Sequence, residues 1–352
     1  MRQISTFFFL CCFFATVFRA EAQDPRFAQF YAAPLQVNPA LIGVYEGQYR
    51  AVLNYRELYT SILSNNPFRT IGASFDMRYR VMQEDYIGVG ISAMRDQAGV
   101  SAFNRFRGNL GVSFLKQLGG SRYGGYDQYL VAGGQIGVGQ RGLDWGKMWF
   151  SQQFNEDFAF VDQTMDNGES LQNANTDIYL DFNAGLLWYA LFSDNQSLYF
   201  GGALQHLNTP NISFLENAEE KLHMKWIGQA GGELPFNDNL SILPAALVMS
   251  QNKYMSVTAG GNFRYTNRDW REVAIRVGAW MHLANQLDSG MGMDAVIVTA
   301  ILETERWDIG ISYDITTSSL AEANNSRGAF ELSLIYVHPE KQRRPSVNCP
   351  KF

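Results

Sequence analysis

The sequence predicts an all-β fold, a transmembrane antiparallel β-barrel of about fourteen strands behind a short N-terminal segment that is not strand. Three observations lead there. An export signal opens the chain, and apolar and polar residues alternate with period two along most of the rest. Aromatic residues make up 14% of the sequence, yet mean hydropathy is only −0.17. A soluble domain so rich in aromatics would hide them under helices, whereas a barrel turns them toward lipid and keeps a polar interior.

Residues 1–22 read as a signal peptide. Arg2 supplies the basic start, residues 7–18 the short apolar run, and Ala20-Glu21-Ala22 the cleavage site, so the mature chain starts at Gln23. The run is too short to cross a bilayer as a helix, and no later stretch reaches about eighteen apolar residues. Cys11 and Cys12 suggest a lipoprotein, but Phe9-Leu10 lacks the small residue that such processing needs.

Residues 47–338 carry the alternation. Tyr49, Ala51, Leu53 and Tyr55 stand against Gln48, Arg50, Val52 and Asn54. Ile71, Ala73, Phe75, Met77 and Tyr79 oppose Thr70, Gly72, Ser74, Asp76 and Arg78; an acid and a base on one strand face are tolerable only against water or a polar lumen. The clearest run sets Ile178, Leu180, Phe182, Ala184, Leu186 and Trp188 against Asp177, Tyr179, Asp181, Asn183 and Gly185. The last sets Phe330, Leu332, Leu334 and Tyr336 against Ala329, Glu331, Ser333 and Ile335. Strands are expected at 47–55, 68–79, 86–95, 104–117, 128–140, 177–189, 197–207, 224–235, 240–251, 254–265, 272–282, 288–303, 306–313 and 327–337. Many reach the roughly nine to eleven residues that a tilted strand needs to cross hydrocarbon.

Connections 80–85, 190–196, 236–239, 266–271 and 304–305 are short, while 56–67, 141–176, 208–223 and 314–326 are mostly longer. That alternation puts both barrel ends and the short turns in the periplasm and the long loops outside. The links 252–253 and 118–127 run against it. Glycines inside strands, such as Gly133-Gly134, Gly137, Gly139, Gly201-Gly202, Gly231-Gly232 and Gly260-Gly261, fit barrel curvature, or leave room for something inside.

Residues 23–46 do not alternate. Pro25, Pro34 and Asn38-Pro39 rule out a crossing strand, while Phe27, Phe30 and Tyr31 are unlike a disordered leader. The segment reads as a plug packed in or against the barrel, or as a docking arm on the periplasmic side.

Composition excludes several functions. From 28 basic residues the signal removes Arg2 and Arg19, leaving 26; from 34 acidic residues it removes Glu21, leaving 33, a net charge of −7. A mildly acidic exported chain has no electrostatic footprint for nucleic acid. Only Cys349 survives cleavage, so an internal disulfide is impossible. His206, His223, His282 and His338 form no pair with metal-binding spacing and read as interfacial residues at strand ends. The acid pairs Asp177/Asp181 and Glu303/Glu305 read as solvated carboxylates of the lumen rather than as an acid and a base. No cofactor motif and no catalytic constellation emerge.

The long loop 141–176 is the main candidate for partner contact. Trp145, Trp149, Phe150, Phe154, Phe158 and Phe160 stand there among acidic residues, and aromatic anchors dominate interface energetics. The same side chains could instead fold back over the barrel mouth as a lid. Residues 339–352 form a basic periplasmic tail, with Lys341, Arg343, Arg344 and Lys351 against Glu340.

Taken in order, several motifs resemble one family. They are Gln23-Asp24-Pro25, Phe27, Gln29-Phe30, Pro34-Leu35, Asn38-Pro39-Ala40 and Gly43; Tyr55-Arg56; the run from Ser289 to Ala295; the run from Trp307 to Asp314; Arg327 to Leu334; and the terminal Cys349-Pro350-Lys351-Phe352. The chain is similar to the PorP/SprF family, outer-membrane proteins associated with type IX secretion and gliding in Bacteroidota. The resemblance implies a cell-surface barrel akin to the fatty-acid-transporter class, set in outer-membrane lipid. It also implies a role in anchoring or docking partners, either secretion components or the C-terminal domain of a secreted adhesin. The alternative is a FadL-like channel for a small apolar or amphipathic solute.

Overall fold

The computed structural model describes residues 24–339 except 64–65, 83, 120–125, 156–159, 163, 167, 169–174, 194–195, 216–217, 268–272 and 287–289. The signal peptide, Phe158, Ser289 and the basic tail beyond Pro339 lie outside the described residues. In chain order the strands are β1 (Tyr49–Leu58), β2 (Phe68–Arg80), β3 (Tyr86–Ala98), β4 (Phe103–Gly119), β5 (Asp127–Gly142), β6 (Phe154–Asn155), β7 (Phe160–Val161) and β8 (Tyr179–Ser193). They continue as β9 (Gln196–Gln205), β10 (Lys225–Asn237), β11 (Leu240–Gln251), β12 (Tyr254–Thr266), β13 (Ala274–Gln286), β14 (Gly290–Glu303), β15 (Trp307–Thr316) and β16 (Arg327–His338).

All but β6 and β7 close into one barrel of fourteen strands, each paired with its sequence neighbours; those two form a separate ribbon within the β5–β8 loop. Closure runs through β1 and β16, antiparallel from Tyr49↔His338 to Leu58↔Ala329. A closed sheet has no edge, so every backbone group can be paired where no water is available to pair it.

Burial is inverted relative to a soluble protein. Arg50, Asn54, Arg56, Asp76, Asp181 and Glu331 are buried, while Leu53, Ile71, Leu110, Phe182, Leu186 and Ile311 are exposed. Apolar residues facing outward are what a lipid solvent selects. At the end that holds the start of β1 and the end of β16, outward aromatics form a belt. Tyr336 lies 4.7 Å from Trp307 and 6.0 Å from Tyr49, which lies 5.7 Å from Phe75. Such girdles mark a membrane interface. The longest connections leave from the opposite end, hereafter the outer one; they are the β5–β8, β9–β10 and β15–β16 loops.

All fourteen expected strands are present, with shifted ends. β3 runs on to Ala98 and β13 to Gln286. Their last turns are polar (Asp96-Gln97, Asn285-Gln286), so the apolar alternation fades although the ladder continues. The β6–β7 ribbon was not expected, because two-residue strands carry no periodic signal.

The apolar core lies inside the barrel. Residues 24–45 run through the lumen in short turns at Phe30–Ala32, Pro34–Val37 and Pro39–Leu41. Pro34 and Pro39 open the latter two, where a missing N–H costs nothing. Ala40, Leu41 and Val44 pack with Tyr86, Leu115, Tyr129 and Leu187. Ala28, Phe30 and Val37 pack with Ile227, Leu247, Trp280 and Ile297, and Phe30 meets Trp280 edge-on at 5.4 Å.

Candidate functional site

The charged and amide side chains of the inner wall converge on this luminal segment. Three groups fix it, at different heights. At the outer end, Asp24 Oδ2 accepts from Arg107 Nη1 at 2.8 Å and from His206 Nε2 at 2.8 Å, with Lys225 Nζ 3.9 Å away. His206 Nδ1 faces Asp181 at 2.9 Å, so both ring nitrogens meet carboxylates. The Asp24 N–H donates to Gln251 Oε1 at 3.3 Å.

Midway, the Glu331 carboxylate accepts the backbone N–H groups of Ala28 and Gln29 at 2.7 and 2.9 Å. Arg56 reaches Glu331 at 2.9 Å and Asp314 at 2.5 Å, linking β1, β15 and β16 beneath the segment. Ser333 Oγ donates to Gln29 Oε1 at 2.8 Å. Across the lumen, Asn38 Nδ2 donates to the carbonyls of Leu186 and Gly202 at 3.2 and 3.3 Å, and its Oδ1 accepts from Ala40 N at 2.9 Å.

Toward the other end, Asp76 Oδ2 accepts from Gly43 N at 2.8 Å and from Arg50 Nη2 at 2.8 Å. Arg50 also donates to the Leu41 carbonyl at 3.0 Å. Gln135, Gln205, Asn54 and Ser113 donate to the carbonyls of Leu35, Gln36, Ala32 and Ile42. Short turns leave several backbone carbonyls without an internal partner, and these side chains satisfy them one at a time.

Several strand glycines admit the segment, Gly133 and Gly88 by close approach to its backbone. A Cβ on Gly133 would enter the backbone of Pro39 and Ala40, and one on Gly88 would meet the Ile42 carbonyl at 2.6 Å. Other glycines singled out earlier serve the wall itself. Gly137 faces Asn109, and Gly139 lies under the Tyr179 ring.

A cavity lies on either side of the segment. The outer one, about 320 Å³, is lined by Arg26, Arg56, Arg105, Lys225, Asp24, Asp96, Asp294 and Asp314 together with Tyr59, Phe68 and Tyr254. The periplasmic one, about 450 Å³, is lined by Arg264, Arg276, Glu303 and Arg306 below Tyr31 and Tyr45. Arg264 and Arg276 both pair with Glu303 there.

Phe27, Phe30, Tyr31, Asn38 and Pro39 all lie within the lumen. The loop aromatics do not. Trp149, Phe154 and Phe160 are exposed, while Trp145 and Phe150 pack on each other at 6.3 Å. Two expectations need correction. His206 and His282 are buried side chains of the barrel interior, not interfacial ones. Asp181 and Glu303 are buried and paired, not solvated. Alternation assigns a strand face, but it cannot tell that the lumen is filled with protein rather than water.

Burial alone would raise the Asp24 carboxyl, but Arg107, His206 and Lys225 outweigh it and hold it well below the usual carboxylate range. A depressed folded value contributes stability that is complete above the unfolded value of about 3.9 and fades as pH falls through the folded value. Docking of the outer end is therefore expected to be constant from about pH 6 to about 4 and to weaken below. In Asp24→Asn it should be weaker at pH 7 and flat in this acid range. Protease accessibility of residues 24–45 against pH checks both; a D24N profile that matches wild type would refute the assignment.

Comparison with known proteins adds a family. The family model described as type IX secretion system membrane protein PorP/SprF matches residues 19–336. No curated protein matches the chain. Among solved structures, it is similar to the TodX monoaromatic hydrocarbon channel deltaS2 mutant, at 11% identity and TM-score 0.44 over 86% of this chain and 92% of that one. The Ralstonia pickettii toluene transporter TbuX matches at 13% identity and TM-score 0.44, over 86% and 92%. CdiB from Escherichia coli matches at 10% and 0.46, over 83% of this chain and 63% of that one. These likenesses are too distant to bear on activity.

Proposed function

Because the chain belongs to the PorP/SprF family of type IX secretion system membrane proteins, we propose that it acts as an outer-membrane barrel that holds a partner protein of that machinery. It is a closed fourteen-strand outer-membrane barrel. The observation that supports a holding role is the lumen, filled by residues 24–45 and fixed to the wall at three heights. A transport route would need a passage, and residues 24–45 pack against the inner wall between the two cavities. The partner surface in this reading includes Trp149, Phe154 and Phe160, three exposed aromatics of the outer loop.

The test is recovery from a type IX-secreting host of the C-terminally tagged barrel after crosslinking. Secretion components or the C-terminal domain of a secreted adhesin are the expected partners. Changing Trp149, Phe154 and Phe160 together to alanine should cut that recovery about tenfold or more while leaving the barrel folded, as hot-spot truncation does. Recovery of the barrel alone, with bound lipid or solute, would instead favour the solute channel.

A further inference from the structure

Most charges around the outer cavity are spent on holding the luminal segment or the wall. Arg56 is taken by Asp314 and Glu331, Arg105 by Asp96 at 2.8 Å, and Lys225 lies 3.9 Å from Asp24. Two residues differ. Arg26 and Asp294 both line the cavity, both are half-buried, and neither makes a direct ion pair among the described residues, while Arg26 is attracted at longer range to Asp294 and Asp314.

Both are also held from behind. Arg26 follows Pro25, and its neighbours are pinned by the Asp24 cluster on one side and by the Glu331 carboxylate on the other. Its backbone is thus positioned by its neighbours. Asp294 is the extra residue of a β-bulge, since His282 pairs with Ala295 and Leu283 with Met293. Bulges redirect a side chain out of the strand's alternation. The Asp294 carbonyl accepts from Thr317 N at 2.9 Å and Ser318 N at 3.3 Å, which ties the bulge to the β15–β16 loop. A guanidinium and a carboxylate on braced backbone, with Tyr59, Phe68 and Tyr254 as walls, make a small two-charge site.

We infer that the outer cavity binds a zwitterionic group, Arg26 receiving its carboxylate and Asp294 its cationic end. The group could come from a free amino-acid-like solute or from a polypeptide segment bearing both charges. The inference goes beyond the holding role and does not depend on it.

Calorimetric titration of the full barrel in detergent tests it, with 5-aminovalerate as the two-charge probe and valerate as the one-charge probe. Wild type should bind 5-aminovalerate saturably and valerate about tenfold more weakly. Arg26→Gln should lose both, and Asp294→Asn should reduce 5-aminovalerate to the level of valerate. Neither change removes an anchor of the luminal segment, and heat-modifiable gel mobility verifies that each variant is folded. Equal binding of the two probes, no binding at all, or wild-type affinity in folded Arg26→Gln would overturn the site. Free lysine can then be compared with a capped peptide carrying internal lysine and glutamate. Tighter binding of the former identifies a solute and of the latter a polypeptide, while failure of both would again overturn the inference.

Discussion

Replacing Glu331 with alanine is expected to free the middle of the luminal segment and cost the barrel about 3–5 kcal/mol, the range for removing one partner of a buried ion pair. One carboxylate supports two backbone N–H groups of the segment and one arm of Arg56. Without it, Ala28 N, Gln29 N and half of the guanidinium are left buried without their acceptor. Glu331→Gln should fall between, because its amide oxygen can still accept one N–H and Arg56 keeps Asp314. The readouts are the temperature at which heat-modifiable mobility is lost and the hydrogen-exchange rates of Ala28 and Gln29. A Glu331→Ala barrel as stable as wild type, with both amides still protected, would show that the segment is seated by its apolar contacts alone.

The second large effect concerns adjacent glycines that face opposite ways. In Gly133→Val the new side chain would enter the backbone of Pro39 and Ala40, which cannot swing aside as a flexible side chain could. Overpacking usually costs about 1–3 kcal/mol, and a clash with backbone belongs at or above the top of that range. The expected result is a barrel that forms but excludes its luminal segment, seen as a step from closed to conducting in planar bilayers. Gly134→Val is the control. Its Cβ would find only the Asn183 carbonyl, at 3.8 Å, so it should insert and stay closed. If both variants stay closed, the segment either tolerates displacement or is not what seals the lumen.

The contrast between these glycines also marks where sequence reading stops. Strand number and face were legible because a lipid-facing wall keeps period two: Leu53, Ile71 and Phe182 point out, and Arg50, Asp76 and Asp181 point in. Pro25, Pro34 and Pro39 identified a segment that could not be a crossing strand, but nothing local told where it would lie. The anchors were visible only as charges on inner faces. Arg56 and Glu331 are 275 positions apart and meet only because β1 pairs with β16. His206 looked like a strand-end residue because Asp24, which gives it a role, is 182 positions away. Local periodicity carries no information about contacts that exist only after closure. The bulge at Asp294 escaped for a related reason, since one extra residue shifts the alternation without leaving a gap in it.

The path of residues 24–45 has a consequence for assembly. Asp24 sits at the outer end, whereas β1 starts at the opposite one, so the chain descends the whole lumen before its first strand turns back up. On the way it hydrogen-bonds Arg50 and Asn54 of β1 and Glu331 and Ser333 of β16, the two strands whose pairing completes the ring. The segment is therefore placed to serve as a mandrel. The sheet can wrap around it and find its last register against side chains already engaged with it, so that filling and closing become one cooperative event. Weakening an anchor should then lower the number of molecules that ever finish folding, and a survey of finished barrels alone would understate the damage.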